Sequence, residues 1–100
     1  MLKIEERFFE LAHGRVRGRV AGDRGPAIVL LHGWGSAGAN FLEPLQLALA
    51  KAGFTTYAPD HPGFAQSDLP PEPWDLDRFI QYLEELLPRL SLSSFVLLGH

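Results

Sequence analysis

The sequence contains no cysteine. A disulfide framework, a cysteine-based zinc site and a thiol nucleophile are therefore excluded within its 100 residues. No apolar run approaches the roughly 20 residues that cross a bilayer as a helix. Basic residues are few: nine Lys plus Arg against twelve Asp plus Glu leave a formal charge of −3. A nucleic-acid binder carries a basic stripe, so nucleic acid is not an expected partner. The opening Met-Leu-Lys-Ile-Glu-Glu-Arg is too charged for a secretory signal peptide. The expectation is a soluble, cytoplasmic protein with no membrane partner.

What is present suits a folded domain. Hydrophobic residues make up 46% and charged residues 21%, outside the range of disordered chains. Residues 1–25 carry six basic and four acidic groups, and residues 26–100 carry three and eight. Positive charge is thus concentrated at the start, and half of it lies on three alternating arginines. There is no internal repeat and no domain boundary, so residues 1–100 read as a single unit.

Turn residues divide that unit into alternating elements. Residues 4–12 form one strand, His13-Gly14 a turn, and residues 15–20 (Arg-Val-Arg-Gly-Arg-Val) a second strand of strict period two. The pair reads as an antiparallel hairpin, with Arg15, Arg17 and Arg19 lining a plain solvated face. Gly22, Gly25 and Pro26 punctuate the next turn. Ala27 to Leu31 is apolar throughout, as in the interior of a parallel sheet. Phe41, Leu45, Ala48, Leu49 and Ala52 then share one helical stripe. Asn40 reads as its N-cap, with Glu43 as the reciprocal partner of a capping box. Pro44 must lie in the first turn, and Gly53 is the expected stop.

Phe54 to Ala58 is a further strand. The loop 59–73 holds five of the eight prolines. Asp75 caps a helix whose stripe runs from Leu76 to Leu90, with Trp74 placed to staple onto Phe79. Pro88 ends or kinks it near Leu87. Ser94 to Leu98 is the last strand. The order is hairpin, β, α, β, α, β, an α/β class whose last three strands are parallel. Ligands bind such sheets at the carboxyl ends of the strands. Those ends carry His32-Gly33-Trp34-Gly35, Pro59-Asp60-His61-Pro62-Gly63 and Gly99-His100.

Two readings compete for these loops. Gly33-x-Gly35-x-x-Gly38 spells a dinucleotide motif, and Asp60 lies 22 residues beyond Gly38, where that fold places a ribose-binding acid. Pro44 stands against it. A helix starting inside the glycines would hold Pro44 in its interior at a cost of about 3 kcal/mol.

The second reading is a resemblance. His32-Gly33-Trp34-Gly35 after an apolar strand resembles the His-Gly-x motif of α/β-hydrolases. Pro59 through Asp68 resembles the family's D-x-x-G-x-G-x-S-D loop, with Ala65 where that loop usually has glycine. Phe95-Val96-Leu97-Leu98-Gly99-His100 resembles the strand entering the nucleophile elbow. The three motifs stand in family order and cover about residue 5 to residue 100. The resemblance implies the N-terminal part of a three-layer α/β/α hydrolase. The nucleophile would follow His100, and the acid and catalytic histidine would come later.

It further implies a carboxylic ester hydrolase acting on a small molecule with a serine nucleophile, no cofactor and no metal. The backbone N–H of Trp34 would be one oxyanion donor, worth about 3 kcal/mol in the transition state. Gly33 would give the tight turn and Gly35 room for substrate. His32 would orient the loop rather than act as base. Asp60 would accept backbone N–H bonds in its own loop, Ser67-Asp68 would be turn chemistry, and His61 and His13 would be surface residues. The Trp34-Gly35 pair resembles esterases of the pimeloyl-carrier-protein methyl ester type, whereas epoxide hydrolases more often carry proline at position 35. A non-catalytic receptor or scaffold on the same fold is the alternative. Residues 1–100 alone are expected to be inactive and poorly soluble, because Phe95 to Leu98 would form an open sheet edge.

Overall fold

The structure is a computed structural model. It describes residues 3–22, 25–33 and 38–99. In chain order the elements are β1 (Ile4–Leu11), β2 (Gly14–Ala21), β3 (Ala27–Leu31), α1 (Glu43–Lys51), β4 (Thr55–Pro59), α2 (Leu76–Leu86) and β5 (Val96–Gly99). A 3-10 turn, Gly38–Leu42, precedes α1, and a second, Leu87–Leu90, follows α2.

The strands form one sheet in the order β1-β2-β4-β3-β5. β2 is antiparallel to both β1 and β4, and β3 is parallel to both β4 and β5. The expected hairpin and β-α-β-α-β succession are therefore what the chain forms. β4 and β5 flank β3 on opposite sides, and α1 and α2 lie in the two connections between these parallel strands. Two apolar clusters follow. Leu11, Val16, Tyr82 and Leu86 pack under α2, and Leu30, Ala39, Leu42 and Ala58 pack beside α1.

Period-two alternation along β2 sends Val16 toward α2 and Arg17 toward α1. This corrects the expected solvated arginine face. Arg17 and Arg19 are 5% and 7% exposed. β2 is an interior strand whose arginine face is covered by the Gly38–Leu42 turn and α1. Buried guanidinium groups survive there because each is paired. Arg17 meets Glu6 at 3.1 Å and Asp60 at 2.7 Å, and Arg19 pairs with Glu43. Only Arg15 fits the expectation, lying exposed over the Phe8 ring.

The helix ends follow local chemistry in one case and not in the other. Asp75 Oδ1 accepts the Arg78 N–H at 2.9 Å, and the Trp74 and Phe79 rings sit 5.4 Å apart as the expected staple. α2 gives way to a 3-10 turn at Leu87, next to Pro88. The Asn40–Glu43 capping box does not form. α1 opens at Glu43 with Leu42 at the cap position and no side-chain cap bond, and Pro44 lies in its first turn as required. Asn40 and Glu43 serve β2 instead: Glu43 pairs with Arg19, and the Asn40 amide oxygen accepts charge-assisted hydrogen bonds from the buried arginines. Asn40 Oδ1 accepts from Arg17 at 3.0 Å and from Arg19 at 2.6 Å.

β5 is an edge strand. Val96, Leu97 and Leu98 are 60%, 50% and 46% exposed, so neither face is covered among the described residues.

Candidate functional site

The parallel pairing brings three strand exits to one end of the sheet. β3 lies between β4 and β5, and Gly99 is level with Leu31. His32 and Gly33 leave β3 beside Asp60 and His61, which leave β4.

Two histidines join the first two exits. The His61 N–H donates to His32 Nε2 at 2.8 Å. That nitrogen is therefore the acceptor, the His32 proton sits on Nδ1, and Nδ1–H donates to the Gly33 carbonyl at 2.9 Å. His61 Nε2 lies 3.0 Å from the His32 carbonyl and must donate to it. Its Nδ1 is left to accept the Tyr82 hydroxyl at 3.2 Å. The two rings lie 4.1 Å apart. These contacts fit two neutral imidazoles, and burial favours that state. Desolvation holds His32 below its ordinary 6.5, against smaller opposite effects from the Gly33 carbonyl and Asp60. Desolvation, aided by His32, lowers His61 to about 4. Burial likewise raises the Tyr82 phenol above its usual range.

His32 is thus fully engaged at both ring nitrogens. It holds the β3 exit to the β4 exit and is in no position to serve as a free base. His61 is not the surface residue expected. Its partner lies 29 residues away and is brought in by the parallel register. His13 is also only half exposed, packed edge-on against Trp74 at 5.0 Å.

Asp60 organises the following loop. It is fully buried, accepts the Ala39 N–H at 2.6 Å through Oδ1, and accepts the Gln66 N–H at 3.2 Å through Oδ2. The Gln66 bond lies in its own loop, as expected. The Ala39 bond reaches across to the chain that returns from the β3 exit. Ser67 and Asp68 do more than turn chemistry. Ser67 Oγ donates to the Asp60 carbonyl at 2.6 Å and accepts the Arg17 N–H at 2.9 Å, while Asp68 Oδ2 accepts the Arg15 N–H at 2.7 Å. They fasten the loop to β2. Ala65, at the position where the family loop usually has glycine, adopts a left-handed φ of 47°. The backbone angles that glycine permits are kept without it. Gly38 has φ +68°, and a Cβ there would meet Asp60 Oδ1 at 2.6 Å and Ala65 Cβ at 2.7 Å. Only glycine fits this approach.

An open, mainly apolar groove of about 500 Å³ runs beside this end, lined by Pro62, Phe64, Leu69, Pro70, Trp74 and Phe79 among others. Phe64 links it to the histidines, packing edge-on against His32 at 5.1 Å. Of the sequence-derived site residues, His32 and Gly33 stand at the β3 exit. Trp34 and Gly35 lie outside the described residues. The dinucleotide reading finds no support in the helix placement, since α1 begins only at Glu43, well past Gly38. Among the described residues, no group of three His, Asp or Glu side chains is placed to hold a metal. No helix there is long and apolar enough to cross a membrane.

Residues 26–100 match the family model of the alpha/beta hydrolase fold. A pimeloyl-[acyl-carrier protein] methyl ester esterase of Pseudoalteromonas atlantica is 33% identical over 88 residues, covering 87% of this chain and 33% of that protein. The bifunctional epoxide hydrolase 2 of Sus scrofa is 35% identical over 78 residues, covering 76% of this chain and 14% of that protein. The crystal structure of epoxide hydrolase A from Mycobacterium thermoresistibile superposes with a TM-score of 0.83 at 32% identity, over 98% of this chain and 31% of that one. The chain thus spans a third or less of the length of each of these proteins. With its sheet order, its strand-exit loops and this match in hand, the chain belongs to the α/β-hydrolase fold family.

Proposed function

We propose that the protein is a carboxylic ester hydrolase in which this chain supplies the first half of the oxyanion hole. In this reading a serine following His100 attacks the ester carbonyl, and an acyl-enzyme forms and is hydrolysed. The Trp34 N–H donates to the oxyanion, Gly33 makes the turn and Gly35 leaves room for substrate. The single observation that carries the reading is the anchoring of both ends of the 33–38 loop. His32 and His61 hold its start, and Asp60 holds the Ala39 N–H at its end. Donors contribute to catalysis only when they are fixed before charge develops, and bonds at the residues on either side of 34–37 support such a role. The small-molecule ester substrate, the absence of a cofactor and a cytoplasmic site of action belong to the same reading.

Similarity to an epoxide hydrolase supports a second reading, an aspartate nucleophile opening an epoxide. Gly35 favours the first. The test is to assay the full-length protein on p-nitrophenyl esters and on styrene oxide. Ester turnover, with a serine encoded after His100, is the expected result. Epoxide opening, with aspartate at that position, would replace the first reading by the second. A complete triad with neither activity would favour the receptor alternative.

A further inference from the structure

We infer that Arg17 is a positioning residue for the proposed reaction, acting through Asp60 and Asn40 on the far end of the 33–38 loop. This rests on the ester-hydrolase reading. Nothing in the sequence motifs points to Arg17, which lies on the hairpin, away from every family motif.

The contacts make Arg17 a buried strut. Its side chain is 6% exposed and that of Asp60 is 0%. Nε sits 2.7 Å from Asp60 Oδ2, an ion pair at contact distance without the alignment of a hydrogen bond. Another guanidinium nitrogen donates to Asn40 Oδ1 at 3.0 Å. The backbone closes the frame: the Asp60 N–H donates to the Arg17 carbonyl at 2.8 Å, and the Arg17 N–H donates to Ser67 Oγ at 2.9 Å. Asp60 in turn holds the Ala39 N–H at 2.6 Å. Residues 39 and 40, where the loop rejoins regular structure, are thus gripped by a carboxylate and a guanidinium that grip each other.

A buried pair of this kind contributes little net stability over an apolar pair, but the guanidinium sets geometry by its charge beside Asp60 and its directional bond to Asn40. The loop donor must stand within a fraction of an ångström of the developing oxyanion. Loss of the Arg17 guanidinium leaves the buried Asp60 carboxylate without its cation and Asn40 held by Arg19 alone, and the grip on residues 39 and 40 loosens. The effect falls on the transition state, where the donor counts, and not on ground-state binding.

The experiment uses the full-length protein with p-nitrophenyl butyrate as probe. Arg17→Met is expected to lower kcat about 30-fold to 100-fold while KM changes less than about threefold. Arg17→Lys keeps the charge but loses the guanidinium, and should recover part of kcat. Inhibition by a trifluoromethyl ketone, which mimics the tetrahedral intermediate, should weaken in parallel with kcat/KM. Leu86→Ala, in the separate cluster under α2, is the control for instability alone and should keep kcat within about twofold. Should Arg17→Met fail to fold, Asn40→Ala tests the same strut from its far end, with a loss of about fivefold to tenfold expected in kcat. Unchanged kcat in the Arg17 or Asn40 variants, or an equal loss in Leu86→Ala, would overturn the inference and leave the ester reading standing. A wild type without ester turnover would overturn the ester reading, and this inference with it.

Discussion

Acid should weaken this fold through the His32–His61 pair, and His61 carries most of the effect. Its imidazole moves from an ordinary 6.5 to about 4 on folding. A lowered histidine pKa means that the unfolded chain binds the proton more readily. Stability is therefore unaffected well above pH 6.5, falls as pH drops below that value, and levels off below about 4. For His61 alone the loss between pH 7 and pH 4.5 comes to about 2 kcal/mol. His32 shifts in the same direction and adds to it. The main cause is burial, which strips both rings of water. For His32, a proton on Nε2 would in addition face the His61 N–H at 2.8 Å, two donors with no acceptor between them. Urea unfolding at pH 7 and pH 4.5 measures the loss. His61→Gln retains an N–H for the His32 carbonyl but does not titrate, so it should remove about 2 kcal/mol of the pH dependence. Histidine carbon shifts in a selectively labelled sample give the His61 pKa directly. A value near 6.5, or an unaltered pH dependence in His61→Gln, would refute the reasoning.

Three further outcomes are expected. Gly38→Ala should destabilise by about 2–4 kcal/mol in urea, because its Cβ would strike Asp60 and Ala65 at a left-handed backbone angle; a change below 1 kcal/mol, on the order of a surface substitution, would contradict that packing. Asp75→Ala removes the α2 cap and should cost about 1 kcal/mol by the same measurement. Residues 1–100 expressed alone should elute as aggregates on size exclusion and show no ester turnover, because Val96, Leu97 and Leu98 sit on an open edge; a monodisperse monomer with a cooperative melt would show the edge to be harmless.

Much of this architecture is legible from short-range pattern. The apolar run Ala27–Leu31 and the stripe from Leu76 to Leu90 announce a buried strand and an amphipathic helix, because each depends only on neighbours along the chain. Trp74, Asp75 and Pro88 mark the ends of that helix for the same reason. Long-range pairing is not legible in this way. Arg-Val-Arg-Gly-Arg-Val reads the same whether the arginines meet water or meet Asp60, Asn40 and Glu43. The one available signal was that Asp60, Asn40 and Glu43 are all polar residues beside predicted apolar elements. The Asn40–Glu43 spacing even pointed elsewhere, to a capping box, and the stronger demand of Arg17 and Arg19 displaced it. His61 looked unpartnered because His32 approaches it only once β3 and β4 pair in parallel register. The candidate site is legible where a motif names it, at His32 and Gly33; the contacts of His61 with His32 and of Arg17 with Asp60 depend on three-dimensional pairing and are not.

The most direct test of the central claim is labelling of the full-length protein with a fluorophosphonate, followed by peptide mapping. The expected result is a single adduct on a serine directly after His100, with loss of p-nitrophenyl ester turnover in proportion to labelling. An unlabelled protein, or an adduct elsewhere in the chain, would contradict it.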